Sequence, residues 1–422
     1  MVNKFIVYLI YLLPFSLVFS RFFSDFTVSL TAVIFFFFIN KKELNSLFKN
    51  KFVLIFFIWC FYLIFSSIYS KNVLLSLESS LFYFRFGLFV IVFYYLSKEF
   101  ENFLQNFCLS FFIIISFLLV DSLLQYSIGK NIFGYVYNGV KLSSFFNDEE
   151  ILGSFLSRTY LIPIIGYLIF KKRFKYENEL LLIYLLLVFF VIFISGERTA
   201  FFIFFLNITI LIFSYMNILK KNIKYILIAF ILVSSTLYLE QKQFKRVFID
   251  TYYEFNLKIR NSSLESFNIF SSIHTLHYIT AYKMFKDKPL VGHGPKMFRE
   301  LCKSKKYETG YYINKNNKKV WLNTNCTTHP HNIYLQLLAE TGIIGFILIF
   351  AFFLICSSII FKKISHINYN INDISYLSFV MIFCNLWPFM PSGNFFNNWI
   401  NIIYFIQISI LFCNLDINKK YT

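Results

Sequence analysis

The chain has 422 residues, 58% of them hydrophobic and only 15% charged, with 61 phenylalanines and a formal net charge of +18. That composition excludes an ordinary soluble domain. The basic excess does not imply nucleic acid, because the charges gather at the ends of apolar runs and in one long polar region, where membrane topology and anionic lipid head groups account for them.

Apolar stretches of about 17–25 residues recur along the chain, the length a helix needs to cross the hydrocarbon core. They predict an all-α integral membrane protein of about twelve transmembrane helices, over 4–20, 23–40, 52–69, 80–96, 103–120, 151–170, 179–195, 199–218, 224–239, 333–361, 372–390 and 396–413. The first run lacks a small-x-small cleavage site and reads as a retained helix, not a signal peptide. With the N-terminus inside, Lys41, Lys42, Lys49 and Lys51, Lys98, the cluster at 171–175, Lys220, Lys221 and Lys224, Lys362 and Lys363, and Lys419 and Lys420 all fall inside. Short loops on the other side carry few charges, as the positive-inside rule requires. The plan is then helices 1–9 over 1–239, one large outside loop over 240–332 between helices 9 and 10, and helices 10–12 with a short tail over 333–422.

That loop holds 16 of the 40 Lys and Arg, but loops this long translocate largely regardless of charge. A helix is expected around Ile273–Lys286, then a break over Asp287–Pro295 and a solvated turn at Asn314–Lys319. The loop reads as a lid on the membrane domain. Cys60, Cys108, Cys356, Cys384 and Cys413 lie in apolar runs, whereas Cys302 and Cys326 lie in the loop. In an oxidising compartment these two are a natural disulfide pair.

The loop ends in Thr327-Thr328-His329-Pro330-His331-Asn332, which opens an apolar run. Pro330 suits a first helical turn, with Thr328 or His329 as cap. His329, Asn332, Gln336 and Glu340 are then spaced to form one polar stripe descending into lipid, and Gly342 and Gly345 allow close helix packing. Such a stripe is costly unless it faces a partner or an aqueous cavity, which marks a functional site; the plainer alternative is a cap with an interfacial polar patch. In a first turn, His331 is held neutral by the helix dipole and suits a general base, while the helix start attracts phosphate.

Arg198 sits in the turn Ser195-Gly196-Glu197-Arg198-Thr199. It either snorkels or pairs with Glu197, or it grips a phosphate bidentately. Arg158, about two turns into the sixth span, needs an anionic partner or water; Asp148, Glu149 and Glu150 are the structural candidates. Arg85 in the fourth span poses the same question. His274 and His277 stand one helical step apart, and His329 and His331 form a second close pair. No HExxH or zinc-spaced cysteine pair accompanies them, so no metal is expected. Nucleotide-binding and Ser-His-Asp patterns are missing too.

His331-Asn332, nine residues and then Gly342-Ile343-Ile344-Gly345 resembles the signature of the O-antigen ligase and polymerase superfamily of bacterial envelope enzymes, with Phe346 where the family usually has Gly, Thr or Tyr. Leu142–Asp148, Ser195–Ala200 and Asp287–Gly294 resemble further family segments, so the likeness extends over roughly 140–415. It implies an inner-membrane enzyme of lipopolysaccharide biosynthesis with its large loop and active site at the periplasmic face. Such a glycosyltransferase moves a glycan from undecaprenyl diphosphate to a lipid A-core sugar hydroxyl (a ligase) or to another lipid-linked repeat (a polymerase), without a cofactor. Residue by residue, the resemblance makes His331 the base and Arg198 the diphosphate ligand. The family's second loop arginine has no counterpart at Ser271–Tyr278; His274, Arg260 or Arg299 would take its place. The expected substrate-binding set is Arg158, His274, His329, Asn332, Gln336, Glu340 and Arg299. A transporter of lipid-linked glycans, from a different class, would carry its charges along a central pathway rather than at one face.

Overall fold

Each of the twelve expected stretches contains a helix among the described residues of the computed structural model of the protein. The structure describes residues 2–38, 50–147, 149–170, 175–256, 259–260, 270–307, 311–313, 316, 318–321, 326–365 and 371–417. Asp148, the Arg260 side chain, most of the 314–319 turn and the basic clusters Lys41, Lys42 and Lys49, 171–173 and 419–420 lie outside them.

In chain order the principal helices are α1 (Val2–Phe19), α2 (Arg21–Phe38), α3 (Lys51–Ile68), α4 (Val73–Ser80), α5 (Phe84–Glu99), α6 (Phe103–Ile128), α7 (Leu152–Thr159), α8 (Leu161–Phe170), α9 (Glu177–Ile194), α10 (Arg198–Ser214), α11 (Ile223–Leu239), α12 (Asp250–Asn256), α13 (Ser272–Asp287), α14 (Ile333–Ile364), α15 (Asp373–Asn385) and α16 (Asn398–Ile417). Among the described residues seven spans are long and apolar enough to cross a membrane, or eight if the pair Ile223–Leu239 and Gln241–Phe255, bent by 87°, counts as one. Asn3–Phe19, Arg198–Ser214 and Asp373–Asn385 are shorter apolar helices. The protein is a multi-pass membrane protein.

Three boundaries differ from expectation for local reasons. Helix α6 runs on to Ile128 because Asp121 and Gln125, which look like a loop, are fully buried. They bind the returning chain: Ser144 Oγ and the Ile132 amide donate to Asp121, and the Ser144 amide donates to Gln125 Oε1 at 2.8 Å. Gly129, with φ 85°, ends the helix as a left-handed cap. Helix α15 stops at Asn385, three residues before Pro388, which lacks the N–H a further turn needs and pushes its predecessor out of the helical region.

The third is α14, which is broken at Gly342 (φ 65°, ψ −168°), a backbone region open essentially to glycine alone. The break frees backbone groups that the 287–294 segment satisfies. His293 N donates to Ala339 O at 3.0 Å, Gly294 N to Glu340 O at 2.7 Å, and Ile343 N to Pro289 O at 2.9 Å. A Cβ on Gly342 would lie 2.2 Å from Leu290 O, and one on Gly292 would lie 2.5 Å from the Glu340 carbonyl carbon. Gly342 therefore serves contact with a loop, not the expected helix–helix contact. Gly345 does meet a helix, facing Trp59 of α3.

The helices close on one another through α1 on α2 and α6, α2 on α5, and α5 on α16, while α16, α15, α14 and α13 pack in sequence. Phenylalanine fills the centre: Phe86, Phe89, Phe93, Phe107, Phe111 and Phe155 are buried, and Phe93 meets Phe103 and Phe107 edge-on at 4.9 Å. Other large apolar side chains, such as Phe37, Phe61 and Leu74, point outward, as a lipid-facing surface requires. The 240–332 segment contributes α12, α13 and a small antiparallel sheet of β1 (Ile259–Arg260), β2 (Tyr311–Ile313) and β3 (Lys319–Trp321), in that order. Cys302 is joined to Cys326, their Cα atoms 6.0 Å apart.

Candidate functional site

Helix α14 begins at Ile333, not at Pro330. Asn332 is its cap, and the Asn332 side-chain oxygen accepts from Tyr334 N and Leu335 N. Asn outranks the other candidate caps, and its Nδ2 is also held, donating to Pro388 O at 2.8 Å. The expected stripe is therefore split. His329 lies outside the helix, while Gln336 and Glu340 lie on it, fully buried and fully engaged. Gln336 donates to Glu340 Oε2 and Asn394 Oδ1 and accepts from Phe395 N; Glu340 Oε1 accepts from Phe298 N. Asn332, Gln336 and Glu340 thus tie three chain segments together, because a buried polar group left unpaired in this setting would be costly.

His331 takes a left-handed backbone (φ 59°), unusual for a residue with a side chain. Ser392 N holds it by donating to His331 O at 2.9 Å. Its ring becomes the centre of a cluster, with His329 at 4.2 Å, His274 at 5.5 Å and His277 at 5.6 Å between centroids. Helix α13 brings His274 and His277 in together, since residues three apart share a face. His329 is fixed at both nitrogens: Nε2 donates to Ser392 O at 3.1 Å, and Nδ1 faces the Thr328 hydroxyl at 3.0 Å. His274 Nδ1 faces Ser271 Oγ at 2.6 Å. Among the described residues no group of three or more His, Cys, Asp or Glu is arranged to hold a metal ion.

Burial lowers the pKa of all four rings. The values fall to about 4 for His274 and about 3 for His277 and His329, and in each the charge of His331 is the second cause. His331 is lowered by burial alone, which corrects the helix-dipole account: the residue precedes the helix. Because its pKa lies below the ordinary histidine value, the His331 ring is an unprotonated base at neutral pH. The unfolded chain takes up protons below the ordinary value of 6.5, while the folded cluster refuses them until much lower. Stability is thus full above about pH 6.5 and declines as pH falls toward about 4. Thermal midpoints of the detergent-solubilised protein should follow that course, with a shallower fall in His277→Gln; a flat wild-type profile would contradict it.

Arg198 opens α10 but does not pair with Glu197. Its Nη1 lies 2.8 Å from Glu254 of α12, its Nε makes no hydrogen bond, and its charge acts on His274. Glu197 turns the other way and accepts from Gly153 N and Ser154 N at the start of α7, where burial raises its pKa to about 7. Arg158 is 6% exposed, and its guanidinium donates to Ser154 O and Oγ. The acids expected beside it are engaged elsewhere, Glu149 with Arg21 and Glu150 with Lys141. Arg158 has no contact with the histidines among the described residues and reads as a fixture of the helix bundle. Arg85 pairs with Asp25 at 2.7 Å.

Residues 183–350 match the family model described as O-Antigen ligase. That region belongs to the O-antigen ligase superfamily. No curated protein matches the chain. The matched range takes in Arg198, the four clustered histidines, Arg299 and the Gly342–Gly345 signature, while Leu142–Asp148 and Arg158 fall outside it. The match of this region to the O-antigen ligase family points to glycan transfer of the ligase or polymerase type, with lipid-linked glycans as substrates. Glu254, Tyr278 and Ser392, which support Arg198 and His331, carry no motif. Sequence separation hides them: Tyr278 Oη reaches His331 O at 3.5 Å across the 240–332 segment.

Proposed function

We propose that the protein is an inner-membrane glycosyltransferase that moves a glycan from undecaprenyl diphosphate to a sugar hydroxyl of lipid A-core at the periplasmic face. The chain would cross the membrane twelve times, with 240–332 as the periplasmic lid. The observation that carries the reading is the His331 ring: neutral, central to the cluster, and without a hydrogen-bond partner among the described residues. His331 accepts the proton of the acceptor hydroxyl as its oxygen attacks the anomeric carbon of the donor sugar. The bond from that carbon to the diphosphate oxygen breaks, and the lipid diphosphate leaves as an anion. Arg198, one histidine away, receives it. Glu254 keeps the guanidinium oriented until the more highly charged diphosphate displaces it. The reaction needs no metal and no nucleotide.

Arg198→Lys tests this directly, because lysine keeps the charge and loses the planar fork. Transfer by the purified protein should fall by about 10²–10³-fold, the range for one transition-state donor, with the acceptor KM unchanged. Full activity in Arg198→Lys would remove the arginine from the mechanism. Chain lengthening on the lipid carrier, with lipid A-core left unmodified, would assign the same site to a polymerase.

A further inference from the structure

A cleft of about 550 Å³ opens between the first turn of α2 and the 394–399 segment, away from Arg198. Its charged lining is Arg21, Asp25, Lys296 and Arg299, and amides come from Asn394, Asn397 and Asn398. The cations are weakly committed. Arg21 pairs with Glu149, 42% exposed, and Lys296 with Glu78, 65% exposed at 3.2 Å, so water already screens both pairs. Arg299 Nε is buried with no hydrogen-bond partner. Asp25, by contrast, is held by Arg85 on one oxygen and by Asn398 at 3.3 Å on the other. An entering anion would thus meet three cations, two of them in ion pairs with exposed carboxylates, and one neutralised carboxylate.

The walls suit a sugar. Phe22 and Phe26 are 70% and 49% exposed and stack on each other with centroids 6.0 Å apart, presenting flat apolar faces beside the amides. A neighbouring cavity of about 480 Å³ shares Arg21 and Trp399 in its lining. The cleft also communicates with the histidines. Arg299 acts on His329, whose ring touches His331, and Asn394 bonds to Gln336. Arg198 approaches the cluster through a different residue, His274.

We infer that this cleft is a second glycan subsite, on the acceptor side of His331, which selects an oligosaccharide bearing an anionic group such as a sugar phosphate. The assignment rests on the glycan-transfer reading for its direction, but its ligand chemistry can be measured without catalysis. The full-length protein in lipid nanodiscs is titrated with a fluorescent phosphorylated core oligosaccharide and with the same compound after phosphatase treatment. Wild type should bind the phosphorylated form about tenfold more tightly, the scale of one charge-assisted hydrogen bond. Arg21→Gln and Lys296→Gln should each reduce that preference while leaving the dephosphorylated form unaffected. Equal binding of the two forms by wild type, or variants that weaken both alike, would overturn the inference. His331→Ala separates the two readings, since it should keep the binding preference while transfer is lost. Transfer without any phosphate preference sinks the subsite alone, and preference without transfer sinks the enzyme reading alone.

Discussion

His331→Ala is expected to lower kcat for glycan transfer by roughly 10²–10⁴-fold, the contribution typical of a positioned general base. The donor KM should stay near wild type, because the diphosphate is assigned to Arg198 and not to the imidazole. The pH profile is the discriminating readout. The acidic limb of the wild-type rate should have its midpoint below pH 6.5, because burial holds the active neutral form to lower pH than an ordinary histidine. In His331→Ala that acidic limb should vanish from the residual rate. A variant that keeps the limb while losing activity would show that another group titrates. The three neighbouring histidines are poor substitutes: His329 is bonded at both nitrogens and His274 at one, and all three have pKa values of about 3 to 4.

Gly342→Ala is expected to cost more structure than any other single methyl group in the signature. Alanine at φ 65°, ψ −168° carries backbone strain on the order of 1–3 kcal/mol. Its Cβ would also lie 2.2 Å from Leu290 O, a backbone atom that cannot rotate away. Relief requires the 287–294 segment to separate from α14, which breaks the bonds from His293, Gly294 and Ile343 and uncovers Glu340. The variant should lose several degrees of thermal midpoint and become sensitive to proteolysis between 287 and 300. Gly345→Ala should be milder, since Gly345 has no positive φ and its close neighbours are side-chain atoms of Thr341 and Trp59 rather than backbone. Equal stability of the Gly342 variant and wild type would mean that α14 can straighten and that the lid is not docked through this break.

The helices and the signature were legible in the sequence because both are local. Apolar runs must be helical in lipid, and a left-handed glycine or a histidine before an Asn cap is fixed by its neighbours. What the sequence misplaced depends on partners far along the chain. Asp121 looks like a loop residue until Ser144 and Ile132 return to it. Gln336 and Glu340 look like one stripe with His329 until Asn394 and Phe298 engage them and the helix start leaves His329 outside it. Arg198 seems suited to its sequence neighbour Glu197, yet the buried start of α7 claims that carboxylate and leaves Arg198 to Glu254. Helix-cap chemistry misled in one further way. Pro330 is a plausible first-turn residue, but Asn332 competes for the cap and moves His331 out of the helix, where its left-handed backbone places it among the other histidines.

The account turns on one product. Purified wild-type protein is given an undecaprenyl-diphosphate glycan together with lipid A-core, and His331→Ala is run in parallel, with all glycolipids read by mass spectrometry. The account predicts lipid A-core heavier by the donor glycan, free lipid diphosphate in equal amount, and neither product from the variant beyond a trace. Glycan-modified lipid A-core formed equally by wild type and His331→Ala would contradict it.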